Sequence, residues 1–264
     1  MNWWQSVFLG VVQGLTEFIP VSSSAHLALA HHFFDWHFAQ NQNLLFDVAT
    51  HFGTLLALLV YFRHEWLGLL FDPKQRPLLK LVLLGCVPGG VFGIVLSKLQ
   101  LEEKMHDLPL LMAACLAVMG VVMWLVDRAA LNRRTMEEMT TGNALAIGCS
   151  QALALIPGVS RSGITITTGL LIGFTRETAA RYSFLMSAPI VFGAALWEAR
   201  KLKDGLPDGA MITLVLGILS AAVAGYLAIG FLLNYLRRSS LAPFVVYRIV
   251  LAVVVVIVYF LQSH

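Results

Sequence analysis

Residues 13–26 read QGLTEFIPVSSSAH. The stretch sets a glutamate, three consecutive serines and a histidine between two hydrophobic runs, and burying such groups is expensive unless each has a partner. Gln13 and Glu17 are four residues apart, so on a helix they share a face. Pro20 disfavours helical backbone at the residue before it, which ends that helix near Ile19. Ser22, Ser23 and Ser24 then stand at the turn as N-cap candidates for a following helix, with His26 in its first turn. A second stretch repeats the pattern. QALALIPGVSRSG from Gln151 aligns without a gap with QGLTEFIPVSSSA from Gln13, which pairs Val21, Ser22, Ser23 and Ser24 with Val159, Ser160, Arg161 and Ser162.

Around these two breaks the chain is strongly apolar. Of its 264 residues 58% are hydrophobic and 12% charged, against about 45–50% and about 25% in soluble domains. That composition implies a polytopic membrane protein. In lipid only helices and closed barrels satisfy their backbone polar groups, and the apolar runs here exceed the roughly 9–11 residues of a barrel strand, so the predicted fold is all-α. Six runs are long enough to cross a bilayer as transmembrane helices: 46–62, 78–97, 108–127, 180–197, 210–235 and 243–261. They fall into two sets of three, each preceded by two shorter apolar pieces, 3–19 with 25–34 and 143–156 with 163–174. Non-helical backbone at membrane depth is tolerated only inside protein or beside a wet cavity, so both pairs are read as re-entrant helical hairpins. The chain is then one integral membrane domain over 1–264, with a first repeat over 1–130 and a second over 143–264. Each repeat has an odd number of full spans, so the second enters the membrane upside down. Such inverted-topology repeats bring their broken helices together near the midplane.

Lys and Arg set the orientation. If each hairpin returns to the side it entered, Arg63, Lys74, Arg76, Lys80, Arg128, Arg133, Arg134, Arg176, Arg181, Arg237, Arg238 and Arg248 collect on one side, against Lys98, Lys104, Arg200, Lys201 and Lys203 on the other. The richer side is predicted to be cytoplasmic, with both termini outside. Residues 1–20 lack a basic leader and run into polar residues rather than a cleavage site, so they are read as part of the fold and not as a removable signal peptide. Cys86, Cys115 and Cys149 each lie in an apolar run without metal-ligand spacing, which argues against a disulfide framework or a zinc site. The small net charge of +3, dispersed among loops, gives no nucleic-acid footprint.

Two helix N-termini facing each other at the breaks would offer free N–H groups and partial positive charge, which suits phosphate oxygens. Ser22, Ser24, Ser160 and Ser162 add hydroxyls there. Arg161 costs at least about 2.5–3.5 kcal/mol at the bilayer centre and needs a partner. A phosphate, which its fork matches bidentately, or Glu17 would serve. Thr165, four residues on, puts a further hydroxyl on the same face. Glu17 beside an anion calls for protonation, neutralisation by Arg161, or a cation. A hard divalent ion bridging carboxylate and phosphate oxygens resolves the conflict, with Mg2+ expected and Ca2+ the alternative. Ser23 is placed to attack phosphorus, with His26 three residues away as base or as acid for the leaving group. The combination points to phosphoryl transfer.

The same residues resemble a known family. QGLTEFIPVSSSAH at 13–26 and PGVSRSGIT at 157–165 are similar to the two signature motifs of the undecaprenyl-diphosphatase, or bacitracin-resistance, family. The similarity extends through FDVATHFGT at 46–54 and RYSFLMSAP at 181–189. This resemblance implies a bacterial inner-membrane phosphatase that takes the terminal phosphate from undecaprenyl diphosphate and regenerates the monophosphate carrier for cell-wall synthesis. It also implies a site open to the periplasm, a required divalent cation, and the lipid substrate and bilayer lipids as partners, with a homodimer left open. Functional roles follow for Glu17, the Ser22/Ser23 pair, His26, Arg161 and Thr165. Many family members have glutamate where this chain has Gln13, so a metal here meets one carboxylate, Glu17, and at most the neutral oxygen of Gln13. Either Ser22 or Ser23 fits as nucleophile, and Ser23 is preferred because Ser22 can serve as the cap.

Other features have plainer explanations. Asp47 and His51, four apart, are either a polar pair supporting the site or interfacial residues. Gly85, Gly89, Gly90 and Gly93 are expected to let helices pack closely. Arg248 is expected to snorkel to the cytoplasmic headgroups. A Glu17–His26 pair holding the hairpin is the structural alternative for the polar break, and Arg161 at the matching place in the second half favours function. The alternative function is a polyprenyl-phosphate lipid transporter or flippase, since inverted repeats with broken helices are above all a transporter architecture. A serine beside a histidine favours chemistry. Phosphatases of the phosphatidic-acid type, with PSGH and SRxxxxxHxxxD motifs, are excluded because the required histidine falls on Thr167.

Overall fold

The computed structural model describes residues 1–34, 36, 40–98, 105, 108–200 and 210–262, and among them the only β feature is an isolated bridge between Arg134 and Phe174. The all-helical expectation holds. Among the described residues eleven α-helices run in the order α1 Trp3–Phe18, α2 Ser23–Phe33, α3 Gln40–Tyr61, α4 Arg63–Phe71, α5 Arg76–Lys98, α6 Pro109–Ala129, α7 Thr141–Ser150, α8 Arg161–Leu171, α9 Arg176–Ala199, α10 Ala210–Leu236 and α11 Ala242–Gln262. Five of them, α5, α6, α9, α10 and α11, are long and apolar enough to cross a membrane, and up to six if α3 and α4 count as one bent span. The two differ in direction by 74°. The run at 46–62 therefore does not end in a loop. It continues as α4, whose first turn carries Arg63 and Glu65; these charges favour leaving the apolar slab, and Leu69 alone of the short helix is buried.

α1, α2, α7 and α8 have 16, 11, 10 and 11 residues, each short of the roughly 20 needed to span. α1 stops at Phe18, where Ile19 turns to extended backbone ahead of Pro20. α7 tightens into a 3-10 turn over Gln151–Leu155, and Pro157 follows. These four helices pack across the chain rather than only within their own half. α1 lies on α10, where Gly10 and Gly14 meet Gly217, Ser220, Ala221 and Gly225 so closely that a Cβ has no room. α7 lies on α5 through an equally close meeting of Gly148 and Gly85. Lipid offers no hydrophobic drive between helices, so such van der Waals contact between small residues is what holds them. α6 pairs with α11, and α3 packs on both α9 and α10.

Close packing accounts for Gly85 and Gly89 but not for Gly90 and Gly93, beside which a Cβ would meet nothing within 4 Å. Those two line an apolar groove of about 320 Å3 between α5 and α9, together with Pro189, Gly193 and Trp197. At one end of the bundle charges fasten neighbouring helices: Arg176 Nε donates to Asp127 Oδ1 at 2.5 Å, Leu241 N donates to Asp127 Oδ2 at 3.0 Å, Arg237 Nη2 lies 2.9 Å from Glu177, and Arg181 pairs with Glu65. Lys104, Lys201 and Lys203, counted in the charge asymmetry, lie outside the described residues.

Candidate active site

Both breaks have the same local construction. Ser22, at the entrance of α2, has φ 77°, and Ser160, the N-cap of α8, has φ 75°. Non-glycine residues held there cost on the order of 1–3 kcal/mol, and such strain clusters at functional sites. Each serine carbonyl accepts the first helical N–H, from His26 at 3.3 Å and from Ile164 at 2.9 Å. Each hydroxyl lies 3.2 Å from that of the serine two places on, Ser22 from Ser24 and Ser160 from Ser162. Ser160 Oγ also accepts from Gly163 N at 3.2 Å. The repeat legible in the sequence is thus a repeat of hydrogen bonds.

Glu17 joins the two breaks. Its Oε1 accepts from Arg161 Nη2 at 2.6 Å, and its Oε2 accepts from Ser23 Oγ at 2.7 Å and from Gln13 Nε2 at 3.0 Å. Ser23 and Arg161 are the paired residues of the two motifs, so one carboxylate holds the matching position of each half. The Gln13 amide is oriented by its neighbours. His51 Nδ1 lies 2.8 Å from the carbonyl of Asp47, which only accepts, so Nδ1 carries the proton and Nε2 accepts from Gln13 at 3.5 Å. Both amide hydrogens of Gln13 are then used, on Glu17 and on His51. Gln13 Oε1 and Arg161 Nη1 remain buried without protein partners. An orphan donor on a guanidinium suits an anion, and an orphan acceptor beside a carboxylate suits a hard cation. Among the described residues no three His, Cys, Asp or Glu side chains gather as a metal cluster. A cation would therefore take part of its shell from substrate and water, as Mg2+ commonly does.

A family model described as bacitracin resistance protein BacA matches residues 6–254. The chain belongs to this family. Curated relatives include proteins named undecaprenyl-diphosphatase from Moorella thermoacetica, 45% identical with 98% of each chain covered, and from Gemmatimonas aurantiaca, 44% identical with 97% of each covered. A third, from Pelobacter propionicus, is 45% identical over 95% of this chain and 94% of its own.

In this BacA-family chain the structure gathers Gln13, Glu17, Ser23 and Arg161, with the two serine pairs at their flanks, but not every residue singled out in the sequence joins them. Thr165 turns its hydroxyl to the carbonyl of Arg161 and to Ser183 Oγ, both at 2.7 Å, so it ties α8 to α9 instead of facing the cluster. The His26 ring nitrogens are not bonded to Ser23; they go to the Ser22 carbonyl at 2.7 Å and to Tyr247 Oη at 2.6 Å. His51 proves to support the site through Gln13. Arg248 does not snorkel. It is 0% exposed, and its guanidinium donates to Pro20 O at 3.2 Å, Gly158 O at 2.6 Å, Val159 O at 3.2 Å and Leu116 O at 3.2 Å. Pro20 and Gly158 are again matching positions of the two motifs, so one side chain grips both turns. A charge inside an apolar run was the available signal, since an arginine buried in lipid-facing sequence needs several acceptors.

Gly158 itself is held at φ +93°, where an added Cβ would lie 2.6 Å from the carbonyl oxygen of Met112. Gly158→Ala is expected to destabilise the BacA-family fold by about 1–3 kcal/mol through strain and overpacking. The midpoint of unfolding by SDS in mixed micelles reads this directly, and an unchanged midpoint would contradict the tight approach of this turn to α6.

Proposed function

We propose that this protein hydrolyses undecaprenyl diphosphate to undecaprenyl phosphate and inorganic phosphate within the membrane. The observation that carries the reading is Glu17 binding Ser23 from one break and Arg161 from the other, with Arg161 Nη1 left as a buried donor with no protein partner. Ser23 is the nucleophile, because its hydroxyl hydrogen already points at a carboxylate whereas the Ser22 hydroxyl is paired with Ser24. Glu17 takes that proton as Ser23 Oγ bonds to the terminal phosphorus. The bond from phosphorus to the bridging oxygen breaks, and its electron pair leaves with the prenyl monophosphate. Arg161 and the N-terminus of α8 hold the non-bridging oxygens, where aimed donors stabilise developing charge. Water then resolves the phosphoserine. A divalent cation, Mg2+ or alternatively Ca2+, would be held by Gln13 Oε1 and Glu17 and would neutralise diphosphate charge.

The same proposal takes α1 with α2 and α7 with α8 as two re-entrant hairpins in an inverted repeat over 1–130 and 143–264, with six spans in all. Matching hydrogen bonds at the two breaks support it, as does the exchange of partners, α1 on α10 and α7 on α5. The ion pairs around Asp127, Glu65 and Glu177 gather residues of the arginine-rich side at one end of the bundle, which is consistent with a cytoplasmic face there and a site opening to the periplasm. A serine hydroxyl committed to a carboxylate is a nucleophile's arrangement, which favours the enzyme over a carrier.

The test is phosphate release from a C55 prenyl diphosphate in detergent, with Mg2+ and with EDTA, beside folded Ser23→Ala and Arg161→Ala variants. Release that requires metal and falls at least about a hundredfold in both variants is the expected outcome. A well-folded protein releasing no phosphate would remove the enzymatic reading and leave lipid transport to be assayed in proteoliposomes.

A further inference from the structure

The His26 ring has both nitrogens engaged. Ser22 O accepts only, so Nδ1 carries a hydrogen, and in the neutral ring Nε2 is a lone pair that must accept from the Tyr247 hydroxyl. The two ring planes are 7° from parallel, with the hydroxyl 2.6 Å from Nε2. Ser23, for its part, donates its hydroxyl hydrogen bond to Glu17 and not to His26. A proton moving to or from His26 therefore has one exit, the Tyr247 oxygen. Tyr247 is 46% exposed, so its outer side is not covered by protein. It is also anchored to the site, because the next residue of α11, Arg248, grips the Pro20 and Gly158 carbonyls and is the charged neighbour of the His26 ring.

We infer that Tyr247 is a catalytic residue of the phosphatase site, the hydroxyl through which His26 exchanges a proton with the reacting water and phosphate. This rests on the phosphatase reading and on a role for His26 in it. With His26 neutral, the Tyr247 hydrogen points inward and its oxygen presents lone pairs outward. With a proton on Nε2, the bond reverses: Nε2–H donates to Tyr247 Oη, and the tyrosine O–H is free to donate outward. As water attacks the phosphoserine, the tyrosine oxygen takes the water's proton while the tyrosine hydrogen passes to Nε2, and Glu17 returns its proton to the Ser23 oxygen that leaves phosphorus. Tyrosine ends the step as it began, a neutral hydroxyl, and His26 carries a hydrogen on both nitrogens. The released inorganic phosphate then takes the tyrosine hydrogen while the tyrosine oxygen takes the one on Nε2, which restores the neutral ring.

The experiment is a double-mutant cycle on C55 prenyl diphosphate hydrolysis with Tyr247→Phe, His26→Gln and both together, each checked for its unfolding midpoint. Tyr247→Phe is expected to lower kcat by about ten- to a hundredfold with KM within about twofold, and to cost nothing further once His26 is glutamine. Equal losses from Tyr247→Phe in the two backgrounds, or a wild-type kcat, would overturn the inference while leaving the phosphatase reading intact. His26→Gln at wild-type rate would remove the role of His26 and this inference with it, whereas a wild-type protein inactive on the substrate would fail the phosphatase reading itself. Independently of any variant, the 15N spectrum of histidine-labelled protein should show His26 protonated on Nδ1 with Nε2 as acceptor. The opposite tautomer would also overturn the inference.

Discussion

Glu17→Gln is expected to lower kcat for phosphate release by about a thousandfold or more, while the protein stays folded. The substitution keeps the shape of the side chain and removes two things at once. A carboxylate accepts at both oxygens, and here one serves Arg161 and the other serves Ser23 and Gln13. A glutamine has one acceptor. If its NH2 faces Arg161, two donors meet; if it faces Ser23 and Gln13, the serine must turn its hydrogen elsewhere and loses the base that would take it. Arg161, half-buried, also loses its ion-pair partner. Glu17→Asp retains the charge but is one methylene shorter, so it cannot keep both contacts, and an intermediate loss is expected. The measurement is kcat and KM for the C55 diphosphate, with folding followed by size exclusion and thermal midpoint. A Glu17→Gln protein within tenfold of wild type would show that the link between the two breaks is not the centre of the chemistry.

Much of this arrangement was readable from residue order. Spacing put Gln13 and Glu17 on one face, and the proline and serines marked where helices stop and start. The gapless match of the two motifs by itself pairs Ser23 with Arg161. The length of the apolar runs also located the spans, because lipid leaves the backbone of such runs no alternative to helix. What spacing does not encode is the direction of side chains contributed from far along the chain. Arg248 and Tyr247 stand in an otherwise apolar helix, and the general tendency of arginine to snorkel argued for headgroups; only the approach of α11 to both turns supplies the carbonyls that reverse that preference. Thr165 lies on the expected helix, but Ser183 on α9 offers its hydroxyl a nearer partner. The glycines of α5 divide for the same reason, with Gly85 and Gly89 facing α7 and the Gln151 side chain, and Gly90 and Gly93 facing the groove.

Arg248→Met should be the most destabilising single change in the molecule, by about 3–5 kcal/mol, and should abolish activity in whatever fraction remains folded. Methionine fills comparable volume and suits an apolar helix, so the loss is not one of packing. It comes from the acceptors left behind: the carbonyls of Pro20 and Gly158 lie in non-helical turns and have no ladder partner among the hydrogen bonds of the described residues. A buried unpaired acceptor costs about 1–3 kcal/mol each. The two turns carry Ser22 and Ser160 in strained backbone conformations, so releasing the grip also lets each turn relax away from the geometry that holds Ser23 and Arg161 on Glu17. Arg248→Lys separates charge from geometry. An ammonium keeps the positive charge but cannot fork to Pro20 and Gly158 together, so it should recover part of the unfolding midpoint in SDS titration and little of kcat. Full recovery of kcat by lysine would mean that the charge alone matters at this position and that the two turns keep their spacing without being bridged.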